Sequence, residues 1–233
     1  MMATYKHLFF DLDHTLWDFN ANARLTLDEL YHTMDLNSLG IPDFELFYAS
    51  YLLNNDKLWE KYRNGLIRVD ELRWKRMWYT LIEFKIGDEK LARDMGFRFL
   101  ESLPRRNLLF PYAVECLDYL TNKRYNLHLI TNGFEDVQHS KLKYSGIASY
   151  FMEVITSECS NSIKPNKEIF EYALAKTNAK PAESIMIGDS IEVDIQGAMN
   201  AGIDQVFVNH NCIDCPIQPT YMVHSLKELE EIF

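Results

Sequence analysis

The sequence predicts an α/β fold in which a parallel sheet carries helices on both faces and an all-helical segment follows the first strand. Short apolar runs alternate with helical patterns from about residue 105 onward. The runs are near-continuously hydrophobic, which is typical of strands buried on both faces of a parallel sheet. Between the first run and the next, more than a hundred residues contain no clear strand. A βα repeat with one long insertion explains both observations.

Six segments are predicted as strands because each is a short apolar run, although the last is weaker than the others. They are Leu8–Asp11, Leu127–Thr131, Met152–Thr156, Ser184–Gly188, Gln205–Asn209 and Tyr221–Val223.

Helical patterns separate the later strands, and right-handed crossovers would wind them into a layered sheet. A further stretch begins at Ser225, where Ser225 and Glu228 have the spacing of a capping box. The predicted helices are Ala113–Lys123, Asp136–Tyr144, Lys167–Lys176 and Ile191–Ala201.

The insertion is predicted to be a folded helical domain, because a loop of that length is improbable inside a compact domain. Two stretches, "FELFYASYLLNNDKLWEKYRNG" and "VDELRWKRMWYTLIEF", read as amphipathic helices, and the first ends at Gly65, a plausible C-cap. We therefore expect a core of residues 1–17 and 105–233, with a cap at 18–104 that sets substrate choice. We interpret its tryptophans as core anchors rather than ligand contacts; they are Trp59, Trp74 and Trp78.

Composition limits the class of partner. The 233 residues are 47% hydrophobic, which suffices for a sizeable core, and the formal net charge is −10. Such a surface repels nucleic acid polymers and anionic membranes, whereas a few local cations could still bind a small anionic substrate. The N-terminus lacks the apolar region of a signal peptide, and no apolar stretch approaches the roughly 18 residues of a membrane span. We therefore expect a cytoplasmic protein.

Two of the four cysteines have the spacing of a metal or redox motif. Cys212 and Cys215 form a lone C-x-x-C with His210 nearby. A zinc or redox site usually needs a second pair or a thioredoxin-like context. We therefore interpret these residues as reduced thiols in a surface loop.

Polar residues follow the predicted strands at the edge where open α/β sheets bind ligands. One such cluster would be weak evidence, because acids are common at strand ends, but four successive clusters indicate a site. In chain order the candidates are Asp11, Asp13 and Thr15, then Thr131 and Asn132, then Lys164, and finally Asp189 and Asp194.

These residue types suit a phosphate ester. Asp11, Asp13 and Asp189 would repel one another where they converge, and Mg²⁺ with few carboxylates and several waters would relieve that repulsion. A carboxylate beside the metal can attack phosphorus, and a second one two residues along can move the proton. The Thr131 hydroxyl, the N–H groups around Asn132 and the Lys164 ammonium would bind phosphate oxygens.

The remaining candidates have supporting roles. Thr15 could hydrogen-bond a phosphate or orient Asp11, and Asp194 could hold metal-bound water or Lys164. His14 is expected to fill a turn. Trp17 and Phe19 could either line the pocket or pack at a hinge.

Four motifs resemble, in order, the signature motifs of the haloacid dehalogenase superfamily: "DLDHT", "ITNGF", "KPNKEIF" and "GDSIEVD". The resemblance implies a Rossmann-like core with the first strand central and a helical C1-type cap. It further implies that Asp11 is the nucleophile and Asp13 the acid/base, whose backbone carbonyl also contacts Mg²⁺. Thr131 and Lys164 would then bind phosphate, and Asp189, assisted by Asp194, would ligate the metal.

Asp13 discriminates within that superfamily. Dehalogenases need no proton donor there, phosphonate-cleaving relatives use a Schiff-base lysine, and ion-pump ATPases carry lysine and threonine at positions 12 and 13. A phosphatase or a phosphomutase remains. A receiver-type phosphoaspartate switch would be much shorter and would lack both the insertion and Asp13.

A finer resemblance concerns the substrate. "LWEKYRNG", "KPNKEIFEYAL" and "GDSIEVDIQGAMNAGID" are similar to the noncanonical pyrimidine nucleotidase subfamily. This implies an Mg²⁺-dependent 5′-nucleotidase that hydrolyses pyrimidine nucleoside monophosphates through an aspartyl-phosphate. N-acylneuraminate phosphatases share the five-residue step from Asp189 to Asp194, which leaves sugar phosphates as the alternative.

Overall fold

The fold is a six-stranded sheet with helices, seen in a computed structural model that describes residues 5–233. All neighbouring strands pair in parallel, in the order β3-β2-β1-β4-β5-β6. The α/β class predicted from the apolar runs is therefore confirmed. The strands are β1 His7–Phe10, β2 Asn126–Thr131, β3 Glu153–Thr156, β4 Ser184–Gly188, β5 Asp204–Val208 and β6 Tyr221–Val223.

Strand β1 lies at the centre of the sheet because it pairs with β2 on one side and β4 on the other. Leu8 lies opposite Leu127 in β2 and Ile185 in β4, and these three side chains are buried. An unbroken apolar run therefore marks a strand covered on both faces, as predicted. The six predicted strands are confirmed, with each end within one residue of the observed end.

Helices account for most of the remaining chain. Short 3₁₀ turns occur at Leu103–Arg105, Ala148–Tyr150, Pro181–Glu183 and Leu226–Glu231, and a π-helical turn spans Ile191–Gln196. The α-helices are α1 Phe19–Thr33, α2 Phe44–Arg63, α3 Val69–Glu83, α4 Glu89–Ser102, α5 Ala113–Asn122, α6 Glu135–Tyr144, α7 Ser157–Ser160, α8 Lys167–Thr177 and α9 Gly197–Asn200. Within residues 5–233, no helix is both long and apolar enough to cross a bilayer.

The chain divides into two compact units. One contains the residues up to Phe19 together with Asn107–Phe233, and the other contains Asn20–Arg106. The first unit holds the whole sheet, and its apolar interior includes Phe9 of β1, Ile130 of β2 and Phe170 of α8. The second unit is all helical.

Helix α2 of the helical unit ends as the sequence predicts. Gly65 has φ +69°, its N–H donates to the carbonyl of Tyr62, and the N–H of Leu66 donates to the carbonyl of Lys61. This is the Schellman pattern, in which a residue without a Cβ adopts the left-handed conformation most readily. The C-cap prediction at Gly65 is confirmed.

The expected tryptophan anchors of the helical unit are only half-buried. Its fully buried side chains are smaller ones on facing helices, such as Phe47 and Tyr51 of α2, Leu72 of α3 and Phe99 of α4. The interpretation of the tryptophans as the core anchors is therefore wrong. Each lies at the border of its helix's apolar stripe, where a large ring stays partly in water; they are Trp59, Trp74 and Trp78.

The C-terminal capping box does not form. Ser225 Oγ accepts from the N–H of Lys227, whereas the carboxylate of Glu228 accepts from the N–H of His224, one residue before the position that a capping box requires. The segment is a 3₁₀ helix rather than an α-helix, so its tighter winding shifts both partners. That prediction is wrong.

The segment predicted as one helix over Ile191–Ala201 is a π-helical turn followed by α9. The N–H groups of Asp194 and Ile195 both donate to the carbonyl of Ser190, at 2.9 and 3.2 Å. Asp194 also accepts from the N–H of Ser190 at 3.0 Å. The widened turn therefore fixes the backbone and the side chain of Asp194 together.

Candidate active site

Three of the predicted site residues follow directly from the sheet register. Asp11 comes after β1, and its N–H donates to the carbonyl of Ile187 in β4 at 2.9 Å. Thr131 is the last residue of β2, and Asp189 follows β4. Because these parallel strands end at the same edge, their polar residues gather there, as expected for an open α/β sheet.

Lys164 lies between two of the carboxylates. Its Nζ donates to Asp11 Oδ1 and to Asp194 Oδ1, at 2.6 Å each, and the residue is 1% exposed. Burial opposes the ammonium charge, but the two carboxylates outweigh it, so the pKa of Lys164 lies above its ordinary value. The site therefore contains a fixed cation at neutral pH.

The side chain of Asn132 positions Lys164. Its Nδ2 donates to the carbonyl of Lys164 at 2.9 Å, and its Oδ1 accepts from the N–H of Lys164 at 2.8 Å. Asn132 was predicted to contribute to phosphate binding through the backbone N–H groups around it, and both ends of its side-chain amide hold the backbone of Lys164. Any contact of this residue with phosphate would therefore use its main chain.

Three carboxylates form a cluster that fits a hard divalent cation. Asp11, Asp189 and Asp194 each offer an oxygen within 4.8 Å of the others. Burial, opposed by Lys164 and reinforced by Asp194, raises the pKa of Asp11 to about 7. Burial and the charges of Asp194 and Asp11 also raise the pKa of Asp189 well above its usual range. Mg²⁺ prefers oxygen ligands, and a bound cation would relieve the repulsion between these carboxylates.

The third carboxylate of this cluster differs from the sequence prediction, in which Asp13 converged with Asp11 and Asp189. Asp194 takes that place, and a reason lies in Gly188 at the end of β4. A Cβ added at Gly188 would collide with the carboxylate group of Asp194. The absence of a side chain there lets Asp194 approach the strand ends.

The carboxylate of Asp13 instead contacts two side chains of α6. Lys141 Nζ lies 2.5 Å from Asp13 Oδ1 and 2.8 Å from Oδ2, and Gln138 Nε2 donates to Oδ2 at 2.8 Å. Burial pushes the pKa of Asp13 upward, but Lys141 and Gln138 outweigh this and leave that pKa below its ordinary value. Asp13 is therefore ionised in the free protein.

The hydroxyl of Thr131 is arranged to donate. Its oxygen accepts from the N–H of Gly133 at 3.1 Å and from Gln138 Nε2 at 2.9 Å. A hydroxyl has two acceptor positions and one hydrogen, so this oxygen has its hydrogen available for a further acceptor. That arrangement suits an anionic oxygen of a ligand.

Thr15 holds a carboxylate other than the one expected. Its hydroxyl donates to Asp189 Oδ1 at 2.8 Å rather than to Asp11, and its carbonyl lies 3.2 Å from Nε2 of His210. His14 has φ +68°, which places it in a turn as expected. Trp17 and Phe19 are both buried, which favours packing over a lining role.

Sequence reasoning missed Lys141 and Gln138. They lie three positions apart on α6, which places them on one helix face, and both are buried. The available signal was a lysine and a glutamine on the helix that directly follows "ITNGF". A helical lysine is usually solvated, so that signal is weak without the fold.

The cysteine loop lies apart from these residues in the sequence. Cys212 is exposed, with its Sγ 3.6 Å from His224 Nδ1, and Cys215 Sγ donates to the carbonyl of Ile217 at 3.1 Å. Within residues 5–233, the aspartate cluster is the one group of three or more His, Cys, Asp or Glu side chains with ligand atoms close enough to share an ion.

Comparison with known proteins agrees with this geometry. The haloacid dehalogenase-like hydrolase family matches residues 5–202. The pyrimidine 5′-nucleotidase PynA of Streptococcus pneumoniae is 33% identical over 97% of this chain and 93% of its own length. The pyrimidine 5′-nucleotidase YjjG of Escherichia coli is 31% identical over 97% and 96%. Among solved structures, the magnesium-bound hydrolase YfnB of Bacillus subtilis superposes with a TM-score of 0.89 and 28% identity, covering 98% of both chains.

Proposed function

The chain belongs to the haloacid dehalogenase-like hydrolase family and is a phosphohydrolase, and on this premise we propose that it is an Mg²⁺-dependent 5′-nucleotidase for pyrimidine nucleoside monophosphates. The observation that carries the chemistry is the buried contact of Lys164 with Asp11 and Asp194, beside Asp189. It combines a carboxylate nucleophile with a cation for phosphate and a cluster of oxygen ligands.

Asp11 is the proposed nucleophile. One of its carboxylate oxygens forms a bond to phosphorus while the bond from phosphorus to the ester oxygen breaks, which gives an aspartyl-phosphate and an alkoxide. Asp13 is ionised in the free protein, so in this proposal it takes the proton of the incoming phosphate monoester monoanion and gives it to that alkoxide. It then takes a proton from the water that attacks the aspartyl-phosphate, so phosphate leaves and Asp11 is restored.

The other residues bind the phosphoryl group. Lys164 provides the charge, and the Thr131 hydroxyl, whose acceptor positions are both filled, provides a hydrogen. Asp11, Asp189, Asp194 and the backbone carbonyl of Asp13 are the proposed ligand set for Mg²⁺. Mg²⁺, when bound, neutralises phosphate charge and keeps these carboxylates ionised side by side.

Similarity to PynA and YjjG supports the pyrimidine nucleotide as substrate. The match extends over the helical unit as well as the sheet, because more than nine-tenths of each relative is aligned. Sugar phosphates are the second candidate, because the N-acylneuraminate-9-phosphatase of Homo sapiens is 28% identical over 98% of this chain and 93% of its own length.

The reaction class is tested with p-nitrophenyl phosphate. We expect multiple turnovers with Mg²⁺, and no turnover with EDTA or in Asp11→Asn, whose amide cannot attack phosphorus. Glu171→Gln, an exposed carboxylate on α8, is the matched control and should remain active. A stable phosphoprotein formed once per chain would contradict hydrolysis and favour a phosphoaspartate switch.

Substrate class is tested by phosphate release from UMP, dTMP, purine monophosphates, hexose phosphates and sialic acid phosphate. We expect the highest kcat/KM with UMP or dTMP. A kcat/KM about tenfold or more higher for a sugar phosphate than for UMP or dTMP would contradict the nucleotidase proposal. That ratio corresponds to about 1.4 kcal/mol of differential transition-state binding.

A further inference from the structure

The carboxylate of Asp13 is held by groups outside the four sequence motifs. Lys141 contacts both of its oxygens and Gln138 contacts one, and both residues belong to α6. We propose that Lys141 and Gln138 are positioning residues that fix the direction of the Asp13 carboxylate for proton transfer to and from the substrate. This inference rests on the proposed function, because it requires Asp13 to be the acid/base.

The contacts leave the carboxylate little freedom. Rotation of the Asp13 group would break its contact with Lys141 at one oxygen and with Gln138 at the other. The Lys141 side chain is itself confined, since it is 3% exposed and its Nζ lies 4.4 Å from the ring centroid of Trp17. Charged hydrogen bonds of this length are roughly twice as strong as neutral ones. Asp13 therefore has one strongly favoured orientation.

The burial of Lys141 beside Asp13 indicates that their contact has a role besides stabilising the fold. Removing an ammonium and a carboxylate from water is expensive, and an apolar pair of similar volume is often at least as stable. Lys141 lies beside apolar neighbours of its own helix, Val137 and Leu142, at a position where an apolar residue would complete the buried face. A lysine there is explained by the carboxylate that it orients.

Gln138 connects Asp13 to the proposed phosphate site. The two hydrogens of its Nε2 are directed to Asp13 Oδ2 and to Thr131 Oγ1, at 2.8 and 2.9 Å. The Gln138 amide therefore fixes the Asp13 carboxylate, which moves the proton, relative to the Thr131 hydroxyl, which binds a phosphoryl oxygen. Gly133 accommodates this bridge, because a Cβ there would collide with the Gln138 side chain.

The experiment compares Lys141→Met with Lys143→Met, which changes an exposed lysine on the same helix. For each protein, kcat and KM are measured on p-nitrophenyl phosphate and on the alkyl phosphate that the wild type hydrolyses fastest. An alkyl leaving group needs a proton and p-nitrophenolate hardly does, so misplacing the acid affects the first substrate selectively. We expect Lys141→Met to lower kcat on the alkyl phosphate about 30-fold and on p-nitrophenyl phosphate less than about threefold.

In the same measurement we expect the KM of Lys141→Met to stay within about twofold, and Lys143→Met to match the wild type. Equal losses on both substrates would overturn the proposal, since a general structural defect has no leaving-group dependence. A raised KM with an unchanged kcat would also overturn it, because Lys141 would then bind substrate.

Two further variants keep the test decisive if Lys141→Met does not fold. Gln138→Leu removes the second contact without introducing charge, and it should shift the ratio of the two kcat values in the same direction. In an Asp13→Ala background, loss of Lys141 should slow the alkyl phosphate no further, because Lys141 acts through Asp13. Additive losses would overturn the inference.

Failure of the inference is distinguishable from failure of the proposed function. If wild type turns over and Asp13→Ala shows leaving-group dependence while Lys141→Met and Gln138→Leu do not, only the positioning role is wrong. If wild type shows no Mg²⁺-dependent turnover, or if Asp13→Ala has no leaving-group dependence, the proposed mechanism itself is wrong.

Discussion

Binding of Mg²⁺ is expected to strengthen steeply as the pH rises from 6 to 8. A protonated carboxyl group is a poor ligand, so the metal competes with protons for the aspartate cluster. The pKa of Asp11 is raised to about 7 by burial and by Asp194, despite the opposing charge of Lys164. The protonated form therefore dominates at pH 6 and the ionised form at pH 8.

The size of the effect follows from that pKa. With a pKa of about 7, roughly one-eleventh of Asp11 is ionised at pH 6 and ten-elevenths at pH 8. The apparent dissociation constant for Mg²⁺ is then about tenfold larger at pH 6, or about 1.4 kcal/mol weaker. The pKa of Asp189 is raised as well, so its titration adds to the same trend.

Isothermal titration calorimetry of the substrate-free enzyme at pH 6, 7 and 8 measures this dependence. Titration at pH 7 in buffers of different ionisation enthalpy should show release of about half a proton or more per Mg²⁺ bound. Asp11→Asn should bind Mg²⁺ more weakly and with a shallower pH dependence, because one titrating ligand is gone. An affinity that changes less than about twofold between pH 6 and 8, without proton release, would refute the argument.

Three other perturbations have defined outcomes. Lys164→Met should lower kcat by about a hundredfold to a thousandfold, because the cation that binds the phosphoryl group is lost. In calorimetry the same variant should bind Mg²⁺ more tightly, because the ammonium that competes for Asp11 and Asp194 is removed. Weaker Mg²⁺ binding would contradict the placement of the metal at these two carboxylates. Burial lowers the pKa of His128 to about 4, so the folded state binds fewer protons than the unfolded state between that value and about 6.5. In urea unfolding, the change in stability from pH 7.5 to pH 5 should therefore be about 2 kcal/mol less favourable in the wild type than in His128→Phe, because the carboxyl groups titrate in both proteins and only the wild type has the histidine. Gly188→Ala should displace Asp194, which should lower kcat and destabilise the fold by about 1–3 kcal/mol. Gly87→Ala is the control and should retain the wild-type kcat, because a Cβ at Gly87 meets no atom within 4 Å.

Much of the sheet could be predicted because its strands are buried on both faces. A run such as Leu8–Phe10 has to be apolar at every position, so the strand is visible without knowledge of its neighbours. Glycines with a special backbone conformation, such as Gly65, were visible for the same local reason. The tryptophan anchors and the C-terminal capping box were wrong because burial depends on packing between helices and capping depends on the winding of the segment.

The candidate site likewise contains residues that the sequence identified and contacts that it did not. The sequence by itself placed Asp11, Thr131, Lys164 and Asp189 at successive strand ends, because polar residues that follow apolar runs are recognisable locally. It also placed Asp13 beside them, but it did not show which groups that carboxylate contacts.

Only the tertiary structure decided the partners of each carboxylate. Gln138 and Lys141 reach Asp13 from 125 and 128 positions away in the chain, and Lys164 reaches Asp11 from 153 positions away. Asp194 joins the acidic cluster through a π-helical turn and the space left at Gly188. Such contacts depend on how separate elements pack, and no periodicity along the chain records that packing. The residue types at the strand ends were therefore readable in the sequence, whereas the division of the acids into a cation cluster and a separately held Asp13 was set by the folded chain.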